Sequence, residues 1–317
     1  MKAIVVHEFG DPEVLKIEEV PDPAPGDGQV LIRTEAIGVN PVEGYIRSGK
    51  YAATPPLPYT PGSDAAGTVE AVGSNVESLS VGDRVYTTVG CRGAYAEKMV
   101  VDQASAFVLP EKTSFQHGAS IGVPCGAAWR ALFYRGHAIA GETVLVHGAS
   151  GMVGIAAVQL ARAAGLTVIG TASSEEGQQT VLDQGAHYAI RHDDYAKIKE
   201  ITGGRGVDLI VEMLADKNLA KDLTVLVRHG RVVVVGSRGS VELEPRLTMG
   251  PELDIRGMTI MNLPAAEHRS MYFALSASLE SGVLRPIVSL EFPLEEAYKA
   301  HKAISEGGNV GKIVLVP

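Results

Sequence analysis

Two textures of hydrophobic and polar positions divide the chain. Up to about residue 122 the apolar runs are short and strand-like, at 30–37, 67–72 and 82–86, separated by Pro, Gly, Asp and Asn turns. From Gly126 onward the texture changes. Residues 143–147, 167–171, 207–211 and 231–235 read as strands, and 153–164, 175–184, 194–202 and 219–228 as helices. Val232-Val233-Val234-Val235 has no polar alternation, as expected of a strand buried on both faces. Strands alternating with amphipathic helices predict a doubly wound parallel sheet, so the expected class is α/β. Beyond residue 262, two helical patterns at 265–281 and 294–306 precede a last strand at 312–316. No internal repeat or low-complexity segment interrupts this order.

The strongest chemical signal lies where the second texture begins: Thr143-Val144-Leu145-Val146-His147-Gly148-Ala149-Ser150-Gly151-Met152-Val153-Gly154. It reads as strand, glycine turn and helix, with Val153, Ala157, Leu160 and Ala164 on one helical face. A dinucleotide site needs this arrangement. Gly151 lets the backbone approach a pyrophosphate, Gly154 lets the helix pack on the strand, and the helix N-terminus offers free N–H groups. Ala149 replaces the first glycine of the usual pattern. Gly148-Ala149-Ser150-Gly151-Met152 also resembles the elbow of a serine hydrolase, but that elbow requires glycine where Met152 stands.

The end of the next strand bears on the cofactor. An NAD site wants a carboxylate roughly 20 residues past the glycines, for the ribose 2′-hydroxyl. Here the chain reads Gly170-Thr171-Ala172-Ser173-Ser174, with Glu175-Glu176 following. The strand end carries no acid, and Ser173, Ser174 and His192 are candidates to hold a 2′-phosphate. NADPH is therefore expected over NADH.

Length and composition narrow the picture. The 317 residues suit two domains, and 45% apolar residues supply two cores. A net charge of −9 with no Lys/Arg run argues against nucleic acid. No stretch approaches the roughly 18 apolar residues of a membrane span, and the N-terminal run is too short for a signal peptide, so a cytoplasmic enzyme is expected. The two cysteines, Cys91 and Cys125, form no Cys-x-x-Cys and are expected to be reduced core residues. In 57–73, LPYTPGSDAAGTVEAVG, the polar pair Ser63 and Asp64 sits at a Pro/Gly corner, a common place for a metal or catalytic group.

Several blocks carry a family. Residues 36–43 (AIGVNPVE), 45–49 (YIRSG), 57–67, 146–154, 212–215, 218–219 and 233–239 resemble the zeta-crystallin-like NADPH:quinone reductases, the zinc-free branch of the medium-chain dehydrogenases/reductases. The resemblance covers essentially the whole chain. It implies a GroES-like β-rich catalytic domain, 1–122 plus 262–317, around a Rossmann cofactor domain, 123–261. Zinc-dependent relatives place a cysteine ligand where this chain has Asn40, a Gly-His-Glu trio where it has Gly62-Ser63-Asp64, and a third ligand near Val123. Asn, Ser and Val do not make a tetrahedral zinc site, so no metal is expected. Ser63 and Asp64 are then expected to bond backbone groups of their turn, with Tyr59 and Thr60 at the rim of the acceptor site.

The resemblance also implies roles. Tyr45 is a donor or cofactor clamp, Asn40 a polar orienter, and Tyr51 matches the position of a proton-donating tyrosine in enoyl-thioester reductases. Tyr45, Ser150, Gly151, Met152, Val153, Ser173, His192, Asn218, Val235, Gly236, Ser237, Arg238, Met258, Thr259 and Ile260 are expected to line the cofactor groove. Cys125, Gly126 and Ala127 stand where the family has two aromatics and a threonine, which predicts a wider pocket. The expected reaction is hydride transfer from NADPH to a quinone or an α,β-unsaturated ketone, electrophiles that need no metal. One aligned donor to the forming oxyanion is worth about 2.7–4 kcal/mol. Alternatives are an enoyl-CoA reductase and a non-enzymatic NADPH-binding protein. A strand read at 253–261 is the expected pairing edge of a homodimer or homotetramer.

Overall fold

A computed structural model describes all residues, 1–317. It divides into two compact units. The first comprises Met1–Gly126, Ala265–Gly282 and Pro286–Pro317, the second Ala127–Pro264 and Val283–Arg285. The three-residue return to the second unit is tied down there by Gln159, which donates to the Arg285 carbonyl and accepts its N–H, both at 3.0 Å.

The first unit is built on a seven-stranded sheet. Its hub is the strand Gln29–Val39, which pairs antiparallel with Asp64–Val72, Lys98–Asp102 and Lys312–Val316. The eleven residues alternate enough apolar positions to bury Val30, Ile32, Ile37 and Val39 in one cluster with Ile4, Val85, Tyr95 and Leu315. The last strand therefore reaches the core from the far end of the chain and carries Lys312 in with it.

The second unit holds a six-stranded sheet whose order is Tyr188–Ile190, Thr167–Thr171, Thr143–Val146, Val207–Glu212, Leu226–Val234 and Asp254–Gly257. Every pair is parallel. Chain order runs outward from Thr143–Val146 in one direction and then resumes on its other side, the topology of a doubly wound sheet. All six residues of Val207–Glu212 are buried, as a strand covered on both faces requires. Asp254–Gly257 ends the sheet and pairs on one side only.

Three elements differ from the sequence reading. The pattern at 219–228 is not one helix. Ala215–Asp222 is helical and Leu226 already opens a strand. Leu219, Leu223, Val225 and Leu226 all enter the same core, so helix, turn and strand together imitate a helical apolar period. Tyr188–Ile190 is a strand of three residues, too short to show a period. The strand read at 253–261 shrinks to Asp254–Gly257, followed by a 3-10 turn at Ile260–Asn262. Both cysteines are free and buried, and burial pushes the Cys91 thiol up to about 12, which keeps it unreactive. No helix is long and apolar enough to cross a membrane.

Candidate functional site

In the first unit the helix Pro41–Arg47 starts directly after the hub strand, with Asn40 at its N-cap and Pro41 at the first helical position. Glu43 reaches back from the third helical position. Its Oε2 accepts the Asn40 backbone N–H at 2.9 Å and its Oε1 accepts Asn40 Nδ2–H at 3.1 Å. The same Asn40 amide donates to Asp64 Oδ2 at 2.9 Å, while Asn40 Oδ1 accepts Lys312 Nζ at 2.6 Å. Lys312 Nζ also donates to Asp64 Oδ2 at 3.0 Å, and Asp64 Oδ1 accepts the Val123 N–H at 2.8 Å. All four side chains are buried.

The network continues through Tyr95. Its hydroxyl donates to Glu43 Oε2 at 2.6 Å and accepts from His301 Nε2 at 3.0 Å. His301 Nδ1 in turn accepts Arg47 Nε–H at 3.3 Å. Burial, helped by the Arg47 charge, drives His301 down to about 3, so the ring is neutral, as this donor order demands. Burial pushes Glu43 upward, against the Tyr95 and Asn40 hydrogen bonds and the Lys312 charge. Counted together, Glu43 and Asp64 balance Lys312 and Arg47, so a polar cluster sealed from water carries no net charge.

Several expectations change here. Asp64 does not bond its own turn. It opens the strand Asp64–Val72 facing inward, and its one backbone donor is Val123, 59 residues away. Ser63 contributes its carbonyl, which accepts Thr87 Oγ1–H at 2.8 Å. Asn40 is not an open polar group: its amide and its carbonyl are engaged inside the cluster, and the residue is 3% exposed. It holds the helix that presents Tyr45, a residue 38% exposed on the face opposite buried Glu43 and Arg47. Tyr51 and Thr60 are half-buried. Tyr59 is half-buried too, with its hydroxyl shut in without a partner and its phenol pushed up to about 12 by burial. Cys125, Gly126 and Ala127 are all buried.

In the second unit the parallel register puts every strand's C-terminal end on one edge, and the expected cofactor residues follow those ends. Ser150, Gly151, Met152 and Val153 follow Thr143–Val146, Ser173 follows Thr167–Thr171, and His192 follows Tyr188–Ile190. Asn218 follows Val207–Glu212, residues 235–238 follow Leu226–Val234, and residues 258–260 follow Asp254–Gly257. Such an edge, at the point where the winding reverses, is where doubly wound sheets bind ligands. The glycine turn has the needed shape. Gly148 has φ +59°, and a Cβ on Gly154 would stand 2.4 Å from the Gly148 oxygen, so only glycine lets the helix Met152–Ala163 sit this close. Its N-cap, Gly151, supplies no side-chain cap, which leaves first-turn N–H groups for a ligand.

The neighbouring loops are braced. Asp216 accepts the Arg238 N–H at 2.9 Å, and Ala215 N–H donates to the Gly236 oxygen at 3.0 Å. Asn218 Nδ2 donates to Glu212 Oε1 at 3.2 Å. Sequence reasoning missed two parts of this edge. Arg191 donates to the Ser173 carbonyl at 3.4 Å, bringing a cation to a strand end that has none in sequence. Beneath the glycine turn, His147, Glu212 and Asp222 form a fully buried cluster.

The geometry agrees with known proteins. Residues 26–111 match the model of the alcohol dehydrogenase GroES-like domain, and residues 153–277 that of the zinc-binding dehydrogenases. Along its whole length the chain is 49% identical to the quinone oxidoreductase of Homo sapiens, covering 98% of that protein. It belongs to the quinone oxidoreductase family of the medium-chain dehydrogenases/reductases. The zeta-crystallin-like resemblance read from the sequence is thereby confirmed, as are the GroES-like and Rossmann folds, and the chain is an oxidoreductase. The family is broad: a 2-haloacrylate reductase of Burkholderia sp is 33% identical over 99% of the chain and 98% of its own length. The Escherichia coli quinone oxidoreductase, solved in complex with NADPH, superposes with a TM-score of 0.91 at 29% identity, covering 100% of both chains.

Proposed function

We propose that this quinone oxidoreductase family member transfers hydride from NADPH to quinones or related α,β-unsaturated carbonyls without zinc. One observation carries the metal-free reading. At one position that holds zinc in dependent relatives, Asn40, and at Asp64 beside another, the side chains are engaged by an internal cation, the Lys312 ammonium, at 2.6 Å from Asn40 and 3.0 Å from Asp64. An amide oxygen and a carboxylate already saturated by an ammonium, with no cysteine or histidine among them, are a poor zinc donor set. An electrophilic acceptor fits this site, because it takes hydride without a Lewis acid.

The strand-end edge fits NADPH by its chemistry: a glycine cradle, uncapped N–H groups, and Ser173, Ser174 and Arg191 in place of an acid. When bound, the cofactor supplies the hydride. The protein's own part is to orient and to handle one proton, since a quinone that gains a hydride needs a proton to leave as hydroquinone. The exposed Tyr45 hydroxyl is the proposed donor to the forming oxyanion, with Asn40 and Glu43 fixing the helix that carries it. Relatives named for quinones and for a haloacrylate support an electrophilic double bond as the common substrate feature.

The test is steady-state oxidation of NADPH by a benzoquinone, alongside the Arg191→Ala variant. A charge-assisted hydrogen bond to phosphate is worth roughly 1.5–3 kcal/mol, so Arg191→Ala is expected to raise the KM for NADPH about tenfold or more. The KM for NADH should stay unchanged. Equal effects on both cofactors would remove Arg191 from the 2′-phosphate.

A further inference from the structure

A chain of hydrogen bonds, buried at Asp222 and His147, runs under the glycine turn and ends at half-buried His192 on the strand-end edge. Asp222 Oδ1 lies 2.9 Å from His147 Nε2 and accepts the Tyr195 hydroxyl at 2.8 Å. The other ring nitrogen, His147 Nδ1, lies 3.3 Å from Thr171 Oγ1, which lies 2.7 Å from His192 Nδ1. Thr171 Oγ1 also accepts the Gly148 N–H at 3.2 Å. We propose that Asp222, His147 and Thr171 form a positioning relay that fixes His192 as a neutral ring with its proton on Nε2, aimed at an acceptor oxygen of the bound nucleotide.

The proton count carries this. A hydroxyl has one hydrogen and two lone pairs. Gly148 N–H takes one lone pair of Thr171, so one imidazole must donate to the hydroxyl and the other must accept from it. Which ring donates depends on the charge of His147. That ring faces two carboxylates, Asp222 and Glu212, the latter with Oε2 3.5 Å from His147 Nε2, and all three side chains are within 1% of complete burial. A cation between two sealed carboxylates relieves them; a neutral ring does not. A charged His147 donates from both nitrogens, Nε2–H to Asp222 and Nδ1–H to Thr171. Thr171 must then give its only hydrogen to His192 Nδ1, leaving Nε2–H as the sole donor of His192.

The remaining groups agree. Glu212 Oε2 and Asp222 Oδ2 are buried without a partner, and one proton held between them satisfies both and brings the cluster to zero net charge. Burial pushes Glu212 up to about 7, with Asp222 adding and the His147 charge opposing. Burial disfavours a charged His147, but the bond to Asp222 and the charges of Asp222 and Glu212 outweigh it and raise the ring. His192 moves the other way, through burial first and then the His147 charge, with Asp193 opposing and Arg191 assisting. Lys221 sits over the Tyr195 ring at 5.9 Å on the outer side of the cluster. Imidazole and two carboxylates are also metal-donor types. Here, though, the oxygen nearest the ring already accepts Tyr195, and 2.9 Å is an N–H···O spacing.

The proposal rests on the strand-end edge being the NADPH groove, and the experiment separates the two. Long-range proton–nitrogen spectra of the full chain, labelled at histidine and free of cofactor, should show His192 protonated at Nε2 only and His147 protonated at both nitrogens at neutral pH. Thr171→Val should lose the single His192 tautomer and weaken NADPH about tenfold, as His192→Ala does, one hydrogen bond's worth. Thr171→Ser should restore both, and Thr171→Val combined with His192→Ala should bind no more weakly than either single variant. A His192 protonated at Nδ1, or a His147 with bare Nε2, overturns the relay. The expected tautomer with an unchanged NADPH Kd in His192→Ala overturns its service to the nucleotide. Failure of the unaltered protein to bind NADPH overturns the groove itself.

Discussion

Lys312→Met is expected to lower the unfolding free energy by about 3–5 kcal/mol, the cost of removing one partner from a buried ion pair. The substitution keeps most of the length and volume of the side chain, so lost packing is a minor part. What remains is a carboxylate at Asp64 and an amide oxygen at Asn40, both sealed from water and both without the ammonium at 3.0 and 2.6 Å. The cost should fall when the charge is removed as well. In Asp64→Asn with Lys312→Met, the new amide still accepts the Val123 N–H, and no buried charge is stranded. Urea unfolding of the two singles and the double should therefore give a coupling of about 2–3 kcal/mol, with the double less destabilised than the sum. Additive losses would show that Lys312 packs in the core without serving as the internal cation of the site.

The glycine turn carries the second large effect. Gly154→Val is expected to weaken NADPH by about 10²-fold, the cost of losing about two hydrogen bonds to charged phosphate at roughly 1.5 kcal/mol each. A Cβ at 154 meets the Gly148 oxygen at 2.4 Å and the Ala149 Cα at 2.5 Å, both backbone atoms that no rotamer change relieves. The helix Met152–Ala163 must then move away from the turn, taking its N–H groups with it. Fluorescence titration of NADPH reads the loss, and far-ultraviolet circular dichroism checks that the fold survives. An unchanged Kd in a folded variant would mean that the phosphates bind elsewhere.

How much of this was legible depended on what kind of signal each feature leaves. The doubly wound sheet announced itself, since residues 143–171 alternate strand, glycine turn and amphipathic helix with little ambiguity. The residues proposed for the cofactor came from resemblance, and topology explains why they share one edge: parallel strands deliver six separate loops to one side. Lys312 was not legible. A lysine at the head of an apolar strand looks like an exposed charge, and only the antiparallel pairing of Lys312–Val316 with the hub strand brings it inside. Asp64 was misread for the same reason, because a Pro/Gly corner predicts local bonding, whereas its partners lie 24, 59 and 248 residues away. Arg191 escaped because its contact with Ser173 spans 18 residues and two strands. Nor does any periodicity report the relay, since His147 sits in a strand-like run and Thr171 in another, and their neighbourhood exists only once those strands are side by side.

Metal-free hydride transfer is tested by NADPH oxidation with a benzoquinone, run on protein dialysed against a strong chelator and shown to be free of zinc. Sustained turnover that added zinc does not raise is the expected result. Turnover that disappears on chelation and returns with zinc would contradict it.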